Sequence, residues 1–207
     1  GLLCGRYVQR TLMAYADLIT SALPELAPMQ GCQQQNPHHL YDVWEHTVRA
    51  VGQVPAEPVL RWAMLLHDSG KPACKTVDEQ GIGHFRGHPK ASLALSRELL
   101  PRLRFSSADT ERILLLVERH DTPLGDNEKL VRRSLSRIGE ARFRDLLAIK
   151  KGDAVGQPQR LHLCFQHFPV RAVPHQEIPV LLSPRVCQQF QNFFDIFFFC
   201  QPPHGDE

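Results

Sequence analysis

Leu65-Leu66-His67-Asp68-Ser69-Gly70-Lys71-Pro72 decides how this 207-residue chain is read. Upstream of it, residues 58–68 predict a strongly apolar helix with Pro58 in its first turn, where a missing N–H costs nothing. His67 falls on the apolar stripe, four residues after Ala63 and seven after Leu60. The helix is expected to stop at Ser69-Gly70-Lys71-Pro72, because Gly followed by Pro ends helices. A carboxylate directly after a core-facing histidine is costly to bury without a partner, and a cation would satisfy both groups. The competing reading is a core histidine bonded to backbone, with Asp68 capping the next turn. For an isolated His-Asp pair that structural reading is the commoner one.

The neighbours shift the balance toward a metal. Residues 40–52 predict a helix with Leu40, Val43, Trp44, Thr47, Val48 and Val51 on one face. It carries His46, and the short connection through Pro55 and Pro58 makes the two helices antiparallel neighbours. Far downstream, Asp153 ends a helix predicted over 140–155, four residues after Ile149 and seven after Leu146; Phe143, Leu146, Leu147 and Ala154 form its inner side. His46, His67, Asp68 and Asp153 would give a mixed nitrogen and oxygen donor set. Such a set suits Mn, Fe, Co, Ni or Zn better than Mg. Four ligands leave room on a six-coordinate ion for an activated water.

The remaining pattern is helical. Residues 6–22 predict a helix with Val8, Leu12, Tyr15, Ile19 and Leu23 as its buried stripe. Residues 31–39 and 73–87 read as loops. Further helices are expected from Pro89 to about 100, over 107–119 with Ser107 as cap and Asp109 and Glu111 in the first turn, and from Asp126 to Gly139. No convincing stretch alternates with period two. The expectation is therefore an all-α domain: an N-terminal helix and linker over 1–30, a helical body over 31–157, and an irregular tail over 158–207. Four prolines in 168–184 and six phenylalanines in 188–200 give the tail no clear period. It reads as a core-docking helix, as non-native sequence or as a disordered segment.

The order His46, His67-Asp68, Asp153 resembles the HD superfamily of metal-dependent phosphohydrolases. Three stretches carry a closer resemblance, to the HD-containing half of bacterial tRNA nucleotidyltransferases and poly(A) polymerases. They are Pro24-Glu25-Leu26, the run from Gln33-Gln34-Gln35-Asn36-Pro37-His38-His39 through Trp44-Glu45-His46-Thr47, and Gly83-His84-Phe85-Arg86-Gly87-His88. The likeness covers roughly residues 1–157. It implies an HD-type helical fold with metal ligands at His46, His67, Asp68 and Asp153, and second-metal ligands at His88 and His120. His88, just before Pro89, is expected at a helix N-cap, where free N–H groups with Lys90 beside them can hold a phosphate. Structural alternatives are a plain cap for His88, a solvated helix end for His120-Asp121, and loop or packing positions for His84, His38 and His39. Lys71 and, less directly, Arg86 are the other candidates for substrate phosphate; the alternative is exposed side chains.

Between Lys129 and Lys151, eight Lys and Arg face only Glu140 and Asp145. Arg132, Arg133, Arg137 and Lys150 are thus candidate contacts to an RNA backbone, or simply a solvated helical surface. The whole chain has a net charge of only +2, which points to no partner class. Its six cysteines make no C-x-x-C pair, no signal segment opens the chain, and no apolar run reaches membrane-spanning length. A reduced cytoplasmic protein is expected, of undetermined oligomeric state. The start at Gly1 fits a processed or partial product. Phosphate-loop, dinucleotide and nucleophile-elbow motifs are absent, as is the Asp-x-Asp pair of a nucleotide-adding centre. The expected function is metal-dependent hydrolysis of a phosphomonoester or phosphodiester, a nucleotide or RNA end. The rivals are a non-catalytic body that binds tRNA for a nucleotidyltransferase head, and a truncated product with no function of its own.

Overall fold

The computed structural model describes residues 1–35, 40–123 and 128–156. Its α-helices run in chain order as α1 (Val8–Ala14), α2 (Ala16–Ala22), α3 (Val43–Gln53), α4 (Pro58–Leu66) and α5 (Lys71–Cys74), then α6 (His88–Leu99), α7 (Ser107–Arg119), α8 (Glu128–Ile138) and α9 (Glu140–Val155). One antiparallel hairpin, β1 (Thr76–Val77) with β2 (Gly83–His84), lies between α5 and α6. Among the described residues the fold is all-α, as expected. The expectations for the tail, for Asp126 and for His38 and His39 lie outside the described residues.

Helix α4 is buried on nearly every side, from Val59 through Leu66, and packs against α3, α7 and α9. A helix apolar all round belongs in a core, and this one carries His67 at its C-terminal end. Asp42 caps α3 by accepting from Glu45 N at 2.7 Å, and its other oxygen accepts from Gly31 N at 2.8 Å. That cap fixes the start of the helix bearing His46. On α9, a side chain at Gly152 would come within 2.7 Å of Val54 and 3.0 Å of Met64. The missing side chain lets α9 lie close against α3 and α4, which brings Asp153 to the histidines. Arg112 of α7 ties the same elements by charge, reaching Asp145 at 2.6 and 2.8 Å and Glu57 at 2.6 Å.

Several local expectations are corrected. The helix expected over 6–22 is two helices, because Tyr15 leaves the helical region (φ −118°, ψ 29°) and shifts the register. Tyr15 is 57% exposed instead of buried, while Val8 and Leu12 join the same core as α3 and α4. Leu40 lies outside α3 and is 61% exposed. Pro72 does not stop the chain's helical course: it sits in the first turn of α5, where proline is tolerated. The 73–87 loop contains the hairpin. Ser106, not Ser107, caps α7, accepting from Asp109 N at 3.1 Å. His88 is the first residue of α6; Gly87, at φ +83°, is the cap, in the left-handed region that favours glycine.

Candidate metal centre

His67 closes α4 and its Nδ1 lies 2.6 Å from the carbonyl of Met64. A carbonyl only accepts, so Nδ1 carries a proton, and Nε2, once a cation displaces its own proton, presents a lone pair. That nitrogen faces Asp68 Oδ2 at 3.2 Å and Asp153 Oδ1 at 3.7 Å. His46, one helix away, directs its Nε2 to Asp153 Oδ1 at 3.0 Å and Asp68 Oδ2 at 3.5 Å. The four residues expected to share an ion therefore meet, drawn from α3, the end of α4 and α9.

A second cluster faces the other oxygen of Asp68. His88 Nε2 is 3.3 Å and His120 Nε2 3.7 Å from Asp68 Oδ1. Their Nδ1 atoms are likewise held by carbonyls, Phe85 O at 2.9 Å and Val117 O at 2.7 Å. Gly70 makes this meeting possible. A Cβ there would lie 2.4 Å from Ser92 N and 2.7 Å from His88 O. Without one, the turn after Asp68 docks on the first turn of α6, and Gly70 N donates to Ser92 Oγ at 2.8 Å.

The electrostatics match the geometry. Burial alone would raise the Asp68 carboxyl, but His67 and Lys71 hold it well below the usual carboxylate range. Asp153 is treated the same way: burial opposes ionisation, and His46 and His67 overcome it. Burial disfavours a charged His67, yet Asp68 and Asp153 push its imidazole up to about 10. One buried and one half-buried carboxylate thus demand positive charge at one point. His67 Nε2 and Asp68 Oδ2 are both buried with no well-directed hydrogen bond. Buried polar atoms are nearly always satisfied, and a divalent cation would satisfy both while leaving the imidazoles neutral. His88 is pushed below its ordinary value chiefly by burial, which prevails against the negative charge of Asp68, with the charges of His120 and Lys71 adding to the lowering. A neutral imidazole is the ligand form.

The centre opens into a cleft of about 290 Å³, walled by Asp68, Lys71, His88, His120 and Asp153 with the Phe85–Gly87 segment as its rim. His46 and His67 lie fully buried behind the carboxylates. Lys71 is also buried, its Nζ 2.7 Å from Asp68 Oδ2 and donating to Gln34 Oε1 at 2.9 Å. Arg86 is exposed on the rim. Lys90 is exposed and takes no part in the cleft wall, because two residues along a helix turn a side chain away from His88. His84 lines the cleft and its Nε2 lies 2.7 Å from Asp78 Oδ2. Arg132, Arg133 and Arg137 are exposed on α8. Lys150 does not share that surface role: its Nζ donates to His120 O at 2.7 Å, closing the end of α7. In the sequence, Gln34 stands out only within the stretch that carries the resemblance, and Asp121 only beside His120 at a helix end; the bond from Lys71 Nζ to Gln34 Oε1 and the place of Asp121 on the cleft wall are new. The Gln34 contact joins segments 37 residues apart, which no local spacing signals.

A family model described as HD domain matches residues 38–150. The chain belongs to the HD domain family. This is a family of, in general, metal-dependent hydrolases, and the His and Asp clusters described above are able to hold a metal. The A-adding tRNA nucleotidyltransferase of Deinococcus radiodurans is 38% identical over 142 residues, which are 66% of this chain and 32% of that protein. The CC-adding tRNA nucleotidyltransferase of Thermus thermophilus is 38% identical over 129 residues, 59% of this chain and 29% of that protein. A bifunctional uridylyltransferase/uridylyl-removing enzyme of Caulobacter vibrioides is 31% identical over 136 residues, 55% of this chain and 13% of that protein. The chain spans about a third of the length of the two nucleotidyltransferases. Among the described residues no helix is long and apolar enough to cross a membrane.

Proposed function

We propose that this HD domain is a metal-dependent phosphohydrolase acting on a phosphomonoester or phosphodiester, a nucleotide or an RNA end. The observation that carries the reading is Asp68, whose two oxygens face two separate histidine pairs across one carboxylate. His46, His67, Asp68 and Asp153 would hold one divalent cation, and Asp68, His88 and His120 a second. The nitrogen-rich donor set favours Mn, Fe, Co, Ni or Zn over Mg. A cation there supplies Lewis-acid polarisation of a phosphoryl group and acidifies a water molecule. The Nδ1 hydrogen bonds of His67, His88 and His120 fix the tautomers, so each Nε2 is preset toward the carboxylates. Lys71 brings an ammonium to the cleft wall for a phosphate oxygen. Arg86 at the rim supplies a further cation to the part of the substrate outside the cleft.

Metal content of the purified protein, followed by a phosphoester screen with and without Mn, tests this. Asp68→Ala is expected to abolish metal-dependent hydrolysis with helicity kept. Unchanged hydrolysis in that variant, or wild-type protein that binds no divalent metal, rules the reading out.

A second reading has its own observation. Arg132, Arg133 and Arg137 are exposed together on α8, and two relatives are named as tRNA nucleotidyltransferases. The domain would then contribute tRNA binding without chemistry. Affinity for tRNA that falls steeply with salt, in a protein lacking hydrolase activity, favours it.

A further inference from the structure

We propose that Gln34 is a positioning residue: it holds the Lys71 ammonium where it can meet a substrate phosphate without surrendering its charge. The inference rests on the phosphohydrolase reading of this site. Gln34 lies outside every helix, yet is only 1% exposed. Its Nε2 donates to the carbonyl of Tyr41 at 3.1 Å. That bond fixes the orientation of the amide, because only the nitrogen can donate. The oxygen is left facing Lys71, and it accepts from Nζ at 2.9 Å.

The backbone beneath is also anchored. Gly83 N donates to Gln35 O at 2.8 Å, which ties the loop to the hairpin that leads into the cleft rim.

The neutrality of this acceptor matters. Lys71 Nζ is 2.7 Å from Asp68 Oδ2, yet that oxygen has no well-directed hydrogen bond, so the contact is mainly Coulombic. An ammonium with no other partner would be drawn fully onto Asp68 and would compete with a cation for the same oxygen. A glutamate at 34 would hold the ammonium but cancel its charge. An amide oxygen does neither: it takes one N–H and leaves the positive charge for the anions around it. Lys71 carries three donors, one goes to Gln34, and the residue forms part of the cleft wall.

The experiment measures binding of inorganic phosphate to the Mn-loaded protein by titration calorimetry, for wild type, Gln34→Leu, Lys71→Met and the double variant. Gln34→Leu is expected to weaken phosphate about tenfold, the size of one hydrogen bond to a charged group, with Mn content unchanged. In the Lys71→Met background the same change is expected to do nothing further. Gln34→Glu is expected to weaken phosphate as well, and Gln34→Met reads the same coupling should the leucine variant fail to fold. Four results overturn the proposal: wild type that binds no phosphate, unchanged affinity in Gln34→Leu, loss of Mn along with phosphate, or equal weakening in both backgrounds. Intact coupling in a protein that cleaves no phosphoester sinks only the hydrolase reading.

Discussion

The Nε2 atoms of His88 and His120 lie 3.0 Å apart, and the Nδ1 of each is already bonded to a backbone carbonyl. With the proton of each neutral ring on Nδ1, two lone pairs point at one another. The arrangement is stable only with a proton or a cation between them, and Asp68 Oδ1 supplies the matching negative charge. A cation explains the contact with both rings neutral. His120→Asn is therefore expected to lower bound Mn from two equivalents to one, and Asp68→Asn to remove both. Elemental analysis after desalting checks this; an unchanged metal count in His120→Asn overturns the second site.

The same charge balance sets a pH dependence. In the protein without metal, His67 titrates at about 10, above its ordinary 6.5. A raised folded value contributes stability in full below pH 6.5, and the contribution is lost as pH climbs toward 10. Asp68 and Asp153, held below their ordinary 3.8, act with opposite sign: their contribution is full above that pH and fades as pH falls beneath it. After EDTA treatment, the melting temperature is expected to fall from pH 6.5 toward 10. Mn affinity should rise over the same range, since the His67 proton must leave before the ion binds. Melting curves and Mn titrations at several pH values test both slopes; flat profiles would remove the link.

Much of this centre was legible from the order of residues. His67-Asp68 stood out because a carboxylate directly after a histidine on the apolar stripe of a helix is costly to bury unless a partner satisfies it. His46 followed from a short proline-bounded connection, and Asp153 from helical spacing. What stayed hidden depended on contacts between distant segments. Lys71 reads from the sequence as a candidate phosphate contact, but its buried bond to Gln34, 37 residues earlier, leaves no trace in the order of residues. The two-residue strands of the hairpin are too short to leave an alternating pattern. Tyr15 fits a helical stripe by spacing, and only the backbone break at that residue turns it outward.

Arg112 binds two carboxylates from different elements, Asp145 on α9 and Glu57 at the N-cap of α4. Removing the guanidinium leaves the nearly buried Asp145 without a counter-ion beside the core. Arg112→Met is expected to destabilise the fold by about 2–3 kcal/mol, less than a fully buried pair because the arginine is partly solvated. Urea denaturation measures it. A shift under a few tenths of a kcal/mol would mean that apolar packing alone sets α9 in place.

Lys150 and the α8 arginines were grouped by charge in the sequence, but their surroundings separate them. Arg132, Arg133 and Arg137 are exposed, whereas Lys150 spends a donor on His120 O. If α8 tracks an RNA backbone, Arg133→Ala should weaken tRNA binding and reduce the slope of log affinity against log salt by about one. Lys150→Met should leave that slope unchanged and instead weaken Mn binding, because His120 loses the clamp on its own carbonyl. Filter binding across a salt series, paired with Mn titration of both variants, reads the two effects separately. Equal loss of slope in both variants would return Lys150 to the RNA-facing surface, and no loss in either would remove α8 from RNA binding.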